Sequence, residues 1–539
     1  MMPGQPAPRC AALFGTFDVA NYGDLLFPHV AAHILGNGLA ELRCYSPRGG
    51  APAWADCWPA RPVATFNEDP APDLCLIGGG NIIHASPTPL PDYVGAFARS
   101  DFTYASLWLG ASILAAQAGA RLAWNAPGVP FPVEGAWARG LRDLALAGAD
   151  HVTLRDEASR VFLGAPATPA DIVPDTALTI SAVWPAGTLR AAAQDAFAAR
   201  GMAMPGRWIA VHLNDRYIGD DLAAACTAIN SIAAKLQAVP VLLAIGPCHG
   251  DDELARAAMA FIEGPALLVD RPQGLRQIAG LIAHAQAYVG SSLHGLITAL
   301  SYGRPGIAVA RTRMVKFLGF LEPLGEAARL QEGWADAEAV TETLLRPLPS
   351  ATLAQLQAAK TRIDAHAAVL RSLLTATPST TAAAGRARLL QAVSVERTAP
   401  AEWGMLFCAL AGAASAPDDP DKQAEALAIA MRGSADEALR DRVAKARARW
   451  PHHLRIALLE TEWLERAGQP EAARMRLVAL HEQHPDNPWP AVRLVRLLAR
   501  SGQVDAARDL YDQRLRDTAL STTLHQELTG FWSAGADAP

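Results

Sequence analysis

Gly290-Ser-Ser-Leu-His-Gly295 sets two hydroxyls and an imidazole between two apolar runs. The first run, Ala287–Val289, reads as a strand, and the second, Leu296–Tyr302, reads as a helix. Ser291, Ser292, His294 and Gly295 therefore gather at a helix N-terminus, where free backbone N–H groups and the helix dipole favour an anion. An imidazole there can move a proton near neutral pH. A histidine beside an apolar helix also serves as a packed structural residue, and the local pattern leaves both readings open. A second junction, Gly15-Thr-Phe-Asp-Val-Ala-Asn-Tyr-Gly-Asp24, brings Asp18, Asn21, Gly23 and Asp24 between a strand and a helix. These residues suit an anion or polar ligand, and equally a turn in which Asn21 or Asp24 caps the helix. A third, Gly78-Gly-Gly-Asn81, follows the strand Asp73–Ile77. Consecutive glycines imply positive φ angles or close backbone approach, so Gly79, Gly80 and Asn81 fit a phosphate, a sugar ring or a tight turn. The spacing is not that of the dinucleotide fingerprint G-x-G-x-x-G.

Charged candidates lie at other strand ends. Arg155 follows His151–Leu154 and can clamp a carboxylate or phosphate bidentately, although Arg155-Asp-Glu157 is also an ordinary helix start. Asp175 stands in Pro174-Asp-Thr-Ala-Leu178. Asn214, Asp215 and Arg216 end the strand Trp208–Leu213, and Lys316 lies beyond Gly306–Ala310. In Gly246-Pro-Cys-His-Gly-Asp-Asp252, Asp251 reads as a helix cap, and no metal site is expected there or elsewhere.

The elements that must position these groups alternate. Strands are expected at Cys10–Phe17, Glu41–Tyr45, Asp73–Ile77, Arg121–Asn125 and His151–Leu154, with helices at Leu25–Leu35, Ala105–Gln117 and Trp137–Ala147. After a Pro/Gly-rich stretch the strands are Trp208–Leu213, Val239–Ile245, Ala266–Val269, Ala287–Val289 and Gly306–Ala310. Helices at Leu222–Leu236, Asp252–Ile262, Leu275–Ala285 and Leu296–Tyr302 separate them. Such alternation implies parallel sheets. The expected fold class is α/β, with two Rossmann-like lobes at residues 1–180 and 181–375, the second ending in a closing helix Ser350–Leu374. Ligands in such sheets sit beyond the carboxyl ends of the strands. Residues 376–400, rich in Thr and Ala, read as a linker. Residues 401–539 read as an all-α array, because Ala467-Gly-Gln-Pro-Glu-Ala-Ala-Arg474 recurs 34 residues later as Ser501-Gly-Gln-Val-Asp-Ala-Ala-Arg508. That is the period of tetratricopeptide helix pairs. An earlier repeat would hold Ala438, with Gly433 a residue out of phase. Such an array is an interaction surface for a protein partner, or a helical cap on the α/β lobes.

The formal net charge of −6 argues against a general nucleic-acid binder. Seven scattered cysteines, Cys408 among them, show no C-x-x-C spacing and read as buried thiols. No signal-peptide pattern or run of about 20 apolar residues is evident, so a cytoplasmic protein is expected, working at the inner membrane face if its substrate is lipid-linked.

Taken in order, Asn21-Tyr-Gly-Asp24, Asp73-Leu-Cys-Leu-Ile-Gly-Gly-Gly80, Leu154-Arg-Asp-Glu-Ala-Ser159, Val173-Pro-Asp-Thr-Ala-Leu178 and Ser291-Ser-Leu-His-Gly-Leu-Ile-Thr-Ala-Leu-Ser-Tyr-Gly-Arg-Pro305 resemble the polysaccharide pyruvyl transferase family over residues 10–345. The resemblance implies a fold like that of GT-B glycosyltransferases. It also implies transfer of pyruvate, as a ketal, from phosphoenolpyruvate as co-substrate to a sugar of a polysaccharide or lipid-linked glycan, with no cofactor. By the same resemblance His294 is the acid/base or phosphate-binding histidine, and Asp18 is taken as a second catalytic candidate. Arg155, Ser291, Ser292, Gly295, Asn214 and Lys316 hold the donor. Asn21, Gly23, Asp24, Gly79, Gly80, Asn81 and Asp175 lie on the acceptor side. Many relatives carry arginine where this chain has Ser292. The competing readings are a GT-B-type glycosyltransferase using a nucleotide-sugar and a non-catalytic scaffold.

Overall fold

The computed structural model describes residues 9–50, 54–84, 93, 102–133, 136–218, 221–310, 315–377, 379–393, 419–431, 437–518, 520 and 522–533. They fall into two compact units, Met1–Gly404 and Met405–Pro539. The first holds two parallel sheets. One contains β1 (Arg9–Phe14), β2 (Leu39–Ser46), β3 (Ala60–Pro62), β4 (Leu74–Gly78), β5 (Arg121–Asn125), β6 (His151–Leu154) and β7 (Asp171–Ile172), in the order β3-β2-β1-β4-β5-β6-β7. The other contains β8 (Trp208–His212), β9 (Val239–Leu243), β10 (Leu267–Val269), β11 (Ala287–Gly290), β12 (Gly306–Val309) and β13 (Leu330–Gln331), in the order β10-β9-β8-β11-β12-β13. Two parallel α/β lobes are thus present, as the alternation of apolar runs implies. The strands β4, β5, β8, β11 and β12 are buried along their whole length, as a sheet covered on both faces requires.

Strand order fixes where a ligand can sit. In each sheet the order reverses once, between β1 and β4 and between β8 and β11. A crevice opens at such a switch point because the chain leaves neighbouring strands toward opposite faces. The Asn21–Asp24 turn follows β1 and Gly80–Asn81 follows β4. His212 ends β8, and Ser291–His294 follows β11. The lobes meet through a buried hydrogen bond between the Tyr22 hydroxyl and Thr298 Oγ1 (3.0 Å) and through Tyr22 N donating to Ile245 O (2.8 Å). The Asp56 carboxylate accepts from the N–H groups of Leu275 and Arg276 at 2.8 Å each, an anion at the start of the helix Leu275–Ala283.

The closing helix Ser350–Leu373 returns to the first lobe. Its Arg371 donates to Ile34 O (2.7 Å), and its buried His366 hydrogen-bonds Asn125 Oδ1 (2.9 Å) and His151 Nε2 (3.1 Å). The linker expected at 376–400 is corrected over Thr380–Val393, which is a helix on the first lobe. Arg386 donates to Gly148 O (2.9 Å) and Asp150 Oδ2 (2.8 Å). Gly385 lies so close to Ala147 O that a Cβ would overlap it. Close helix contact through a missing side chain explains why a Thr/Ala-rich segment is structured here. Residues 394–400, Cys408 and Gly433 lie outside the described residues.

In the second unit, helix pairs Leu454–Arg466 with Pro470–Gln483 and Pro488–Arg500 with Val504–Arg514 realise the 34-residue period. Gly468 and Gly502 take φ of 73° and 80° at the turn inside each pair, a conformation that favours glycine. Ala473 and Ala507 are fully buried at the helix crossings, and Leu477 and Tyr511 fill the positions that follow. No helix among the described residues is long and apolar enough to cross a membrane.

Candidate functional site

The two switch points face one cleft of about 250 Å3 in the first unit. From the first lobe it is lined by Thr16, Asn21, Asp24, Gly80, Asn81, Tyr104 and Arg155, and from the second by His212, Asn214, Arg216, Asp251, Ser291, Ser292, His294 and Lys316, among others.

His294 sits in the first turn of the helix Leu293–Ser301, whose N-cap Ser292 accepts from Gly295 N at 3.2 Å. The cap satisfies one helix donor and leaves others for a ligand. Behind the imidazole stands buried Asp175, with Oδ2 3.5 Å from His294 Nε2 and 3.8 Å from Arg155 Nη1. Burial pushes the Asp175 carboxyl up, but His294, Arg155 and the Ala177 N–H outweigh it and hold the group below its ordinary value. Asp175 is thus an anion that orients a histidine and an arginine. Room for the ring comes from Gly23, where a Cβ would overlap His294 Nδ1.

Arg155 is buried and fixed from two sides. Nε donates to Asp156 Oδ2 at 3.0 Å and Nη2 to Asn81 Oδ1 at 2.7 Å. Gly128 lies against its guanidinium, where a Cβ would come within 2.8 Å of Cζ. Lys316 lies half-buried at the cleft wall. Burial, with Arg155 and Arg216 nearby, lowers its pKa to about 8, against the opposing pull of Asp24. Burial raises the Asp24 carboxyl, while His294, Thr16, Lys316 and Arg155 draw it down. Burial also lowers His249, as do Arg216, Lys316 and His212, while Asp251 raises it. The cleft therefore presents Arg155, Arg216 and Lys316 to an anion.

Most residues singled out from the sequence converge here: Asn21, Asp24, Gly80, Asn81, Arg155, Asn214, Ser291, Ser292, His294 and Lys316. Five others are corrected, Gly23 among them, which makes room for the His294 ring rather than lining the cleft. Asp18 does not line the cleft; its carboxylate accepts from Arg48 N (2.8 Å), Gly49 N (3.1 Å) and the Tyr93 hydroxyl (2.5 Å), which holds a loop. Asp175 lies behind His294 and lines a neighbouring apolar chamber instead. Gly79, at φ 85° with the Phe27 ring against it, shapes the turn. Gly295 packs under the Tyr288 hydroxyl. Asp251 is also not a cap. It opens the helix Asp251–Ala258 and turns inward to accept from His212 Nε2 (2.6 Å), Gly246 N (2.8 Å) and Asn214 Nδ2 (3.0 Å). His212 and Tyr104 were not singled out from the sequence. The position of His212 at the carboxyl end of β8 was the available signal for it. No three His, Cys, Asp or Glu residues among those described gather into a group that could hold a metal ion.

A two-lobed α/β fold with a cationic, histidine-bearing cleft at paired switch points defines the class. The chain belongs to the polysaccharide pyruvyl transferase family, whose sequence pattern matches residues 21–313, and a tetratricopeptide pattern matches residues 464–528. No curated protein sequence matches the chain. Among solved structures, UDP-GlcNAc 2-epimerase from Neisseria meningitidis bound to UDP-GlcNAc is 11% identical, with 71% of this chain and 98% of that chain covered and a TM-score of 0.37. The N-terminal domain of Candida albicans trehalose-6-phosphate phosphatase is 10% identical, with 70% and 98% covered and a TM-score of 0.40. ADP-heptose lps heptosyltransferase II of E. coli is 13% identical, with 65% and 99% covered and a TM-score of 0.30. Nothing about this chain's chemistry follows from scores so low.

Proposed function

We propose that the cleft binds phosphoenolpyruvate and transfers its pyruvyl group to two hydroxyls of a glycan sugar, forming a ketal and releasing phosphate. The observation that carries this reading is the convergence of Arg155, Lys316 and His294 on the Ser291–Ser292 helix start, within a chain of this family. Phosphoenolpyruvate has a phosphate and a carboxylate on one enol. The cations Arg155 and Lys316 and a helix N-terminus suit that charge. A protonated His294 delivers a proton to C3 of the enol, and the centre left at C2 is open to a hydroxyl. Asp175 stabilises the charged imidazole from behind. The first-lobe residues Asn21, Asp24 and Asn81 face the acceptor, and the helical repeats offer a surface to a protein partner.

Thermal stabilisation of the full chain by phosphoenolpyruvate, set against a panel of nucleotide-sugars, tests the reading. A ligand at 100 times its Kd adds about 2.7 kcal/mol to the folded state. A rise with phosphoenolpyruvate, together with phosphate release that His294→Ala abolishes, is the expected result. A rise with nucleotide-sugars alone moves the assignment to glycosyl transfer, and no response to either leaves the scaffold reading.

A further inference from the structure

Ketal formation needs four proton transfers at separate atoms. One proton must reach C3, one must leave each of two attacking hydroxyls, and one must go to the departing phosphate. His294 can give the first and recover one from a hydroxyl. A second carrier for the other hydroxyl proton and the phosphate proton spares one ring from reaching C3, both hydroxyls and the phosphate in turn.

Across the cleft, on β8, His212 has the features of such a carrier. It is 3% exposed and its partner Asp251 also 3%. Asp251 Oδ2 lies 2.6 Å from His212 Nε2 and also accepts from Gly246 N (2.8 Å), while Oδ1 accepts from Asn214 Nδ2 (3.0 Å). An ionised carboxylate only accepts, so Nε2 carries the hydrogen and the lone pair of a neutral ring lies on Nδ1. Nδ1 has no hydrogen-bond partner among the described residues, although it is buried. Neighbouring Ser291 Oγ, also in the cleft wall, is likewise unpaired, and Ser291 N donates to His212 O at 3.2 Å. Buried polar atoms left unpaired in this way are costly in a purely structural setting. The carboxylate partner fixes the tautomer and offsets the charge of the protonated ring.

We propose that His212, held by Asp251, is a second proton carrier of the reaction, taking the proton of an attacking hydroxyl and passing it to the departing phosphate. This rests on the phosphoenolpyruvate reading. The first hydroxyl oxygen bonds to C2 as its proton passes to His212 Nδ1. The C2–O bond to phosphate then breaks with its electron pair on the phosphate oxygen, which takes the proton from His212. The second hydroxyl closes the ketal at C2 and returns its proton to His294. Each histidine ends as it began, and phosphate leaves as the monohydrogen anion.

The test measures phosphoenolpyruvate binding by calorimetry and phosphate release with methyl hexopyranosides bearing free O4 and O6. His212→Gln keeps a donor for Asp251 but cannot carry a proton, and His212→Gly opens space for added imidazole. Both variants should bind phosphoenolpyruvate within about threefold of the wild type while kcat falls about a hundredfold. Imidazole should restore the glycine variant at least about tenfold. Nitrogen NMR of histidine-labelled wild type should show a proton-free Nδ1 at His212, an acceptor-independent check that Asp251→Asn should disturb. A glutamine variant with kcat within about threefold of wild type overturns the proposal and leaves the donor assignment standing. A kcat loss in the glycine variant that imidazole does not restore, or a protonated Nδ1 in the neutral ring, also overturns it. Wild type that does not bind phosphoenolpyruvate overturns both.

Discussion

Lys316 stands where its charge is hardest to keep, beside Arg155 and Arg216 at a half-buried wall, and titrates at about 8. Its folded value is below the ordinary lysine value, so the neutral form gains as pH rises through about 8 and an anion loses a cationic partner. Phosphoenolpyruvate affinity should therefore weaken above pH 8 in the wild type. In Lys316→Arg it should stay flat to pH 9.5 by calorimetry, because arginine remains charged; an equal loss in both proteins would sink the idea. Gly23 offers a second test. It lies in the helix Tyr22–Leu35, where alanine is ordinarily favoured by about 1 kcal/mol, yet its Cβ would overlap His294 Nδ1. Gly23→Ala should keep a Tm within a few degrees of wild type and lose phosphate release at least about tenfold. Unchanged turnover would remove Gly23 from the positioning of His294. These contacts also mark the limit of the sequence. Ser291–His294 and Gly80–Asn81 were legible because strand-to-helix junctions carry local signals. The pairing of His212 with Asp251, 39 residues apart, is made only when β8 and the turn after β9 come together.

At the scale of elements, the closing helix is tied to the first lobe by a pair of imidazoles. Burial, then His151, lowers the His366 pKa to about 3, and burial also lowers His151. A histidine whose folded value is depressed contributes stability that is full above the unfolded value and is lost as pH falls toward the folded one. Stability should therefore decline as pH drops below about 6.5 toward 3. His366→Gln, which can still hydrogen-bond Asn125, should flatten part of that decline in urea melts at pH 7 and pH 5. Identical slopes in the two proteins would refute this. The strands themselves were readable wherever an apolar run of four or more residues had to be buried on both faces. Ala60–Pro62, Asp171–Ile172 and Leu330–Gln331 were not. These edge strands are two or three residues long, too short for periodicity, and take their form from the neighbour they pair with. The helix Thr380–Val393 was missed for a related reason. Its composition is that of a linker, and its helical state depends on Gly385 and Arg386 docking on Ala147, Gly148 and Asp150.

Over the whole molecule, the chain divides near Gly404, and the repeat unit has a core of its own around Ala473, Leu477, Val492, Val495, Ala507 and Tyr511. A chain ending at Gly404 should melt cooperatively and keep its Kd for phosphoenolpyruvate within about threefold of the full chain. Loss of binding on truncation would place part of the site in the repeats. The return of Ser350–Leu373 and Thr380–Val393 to the first lobe has a consequence for synthesis. The strands of that lobe are complete once Ile172 has been made, yet Asn125, His151, Gly148 and Asp150 wait for partners on helices that end at Val393. At bacterial or eukaryotic elongation rates that is a delay of roughly 10 to 40 s. Throughout it, the nascent first lobe exposes the surface that the late helices will cover, so the lobe synthesised first is the one finished last.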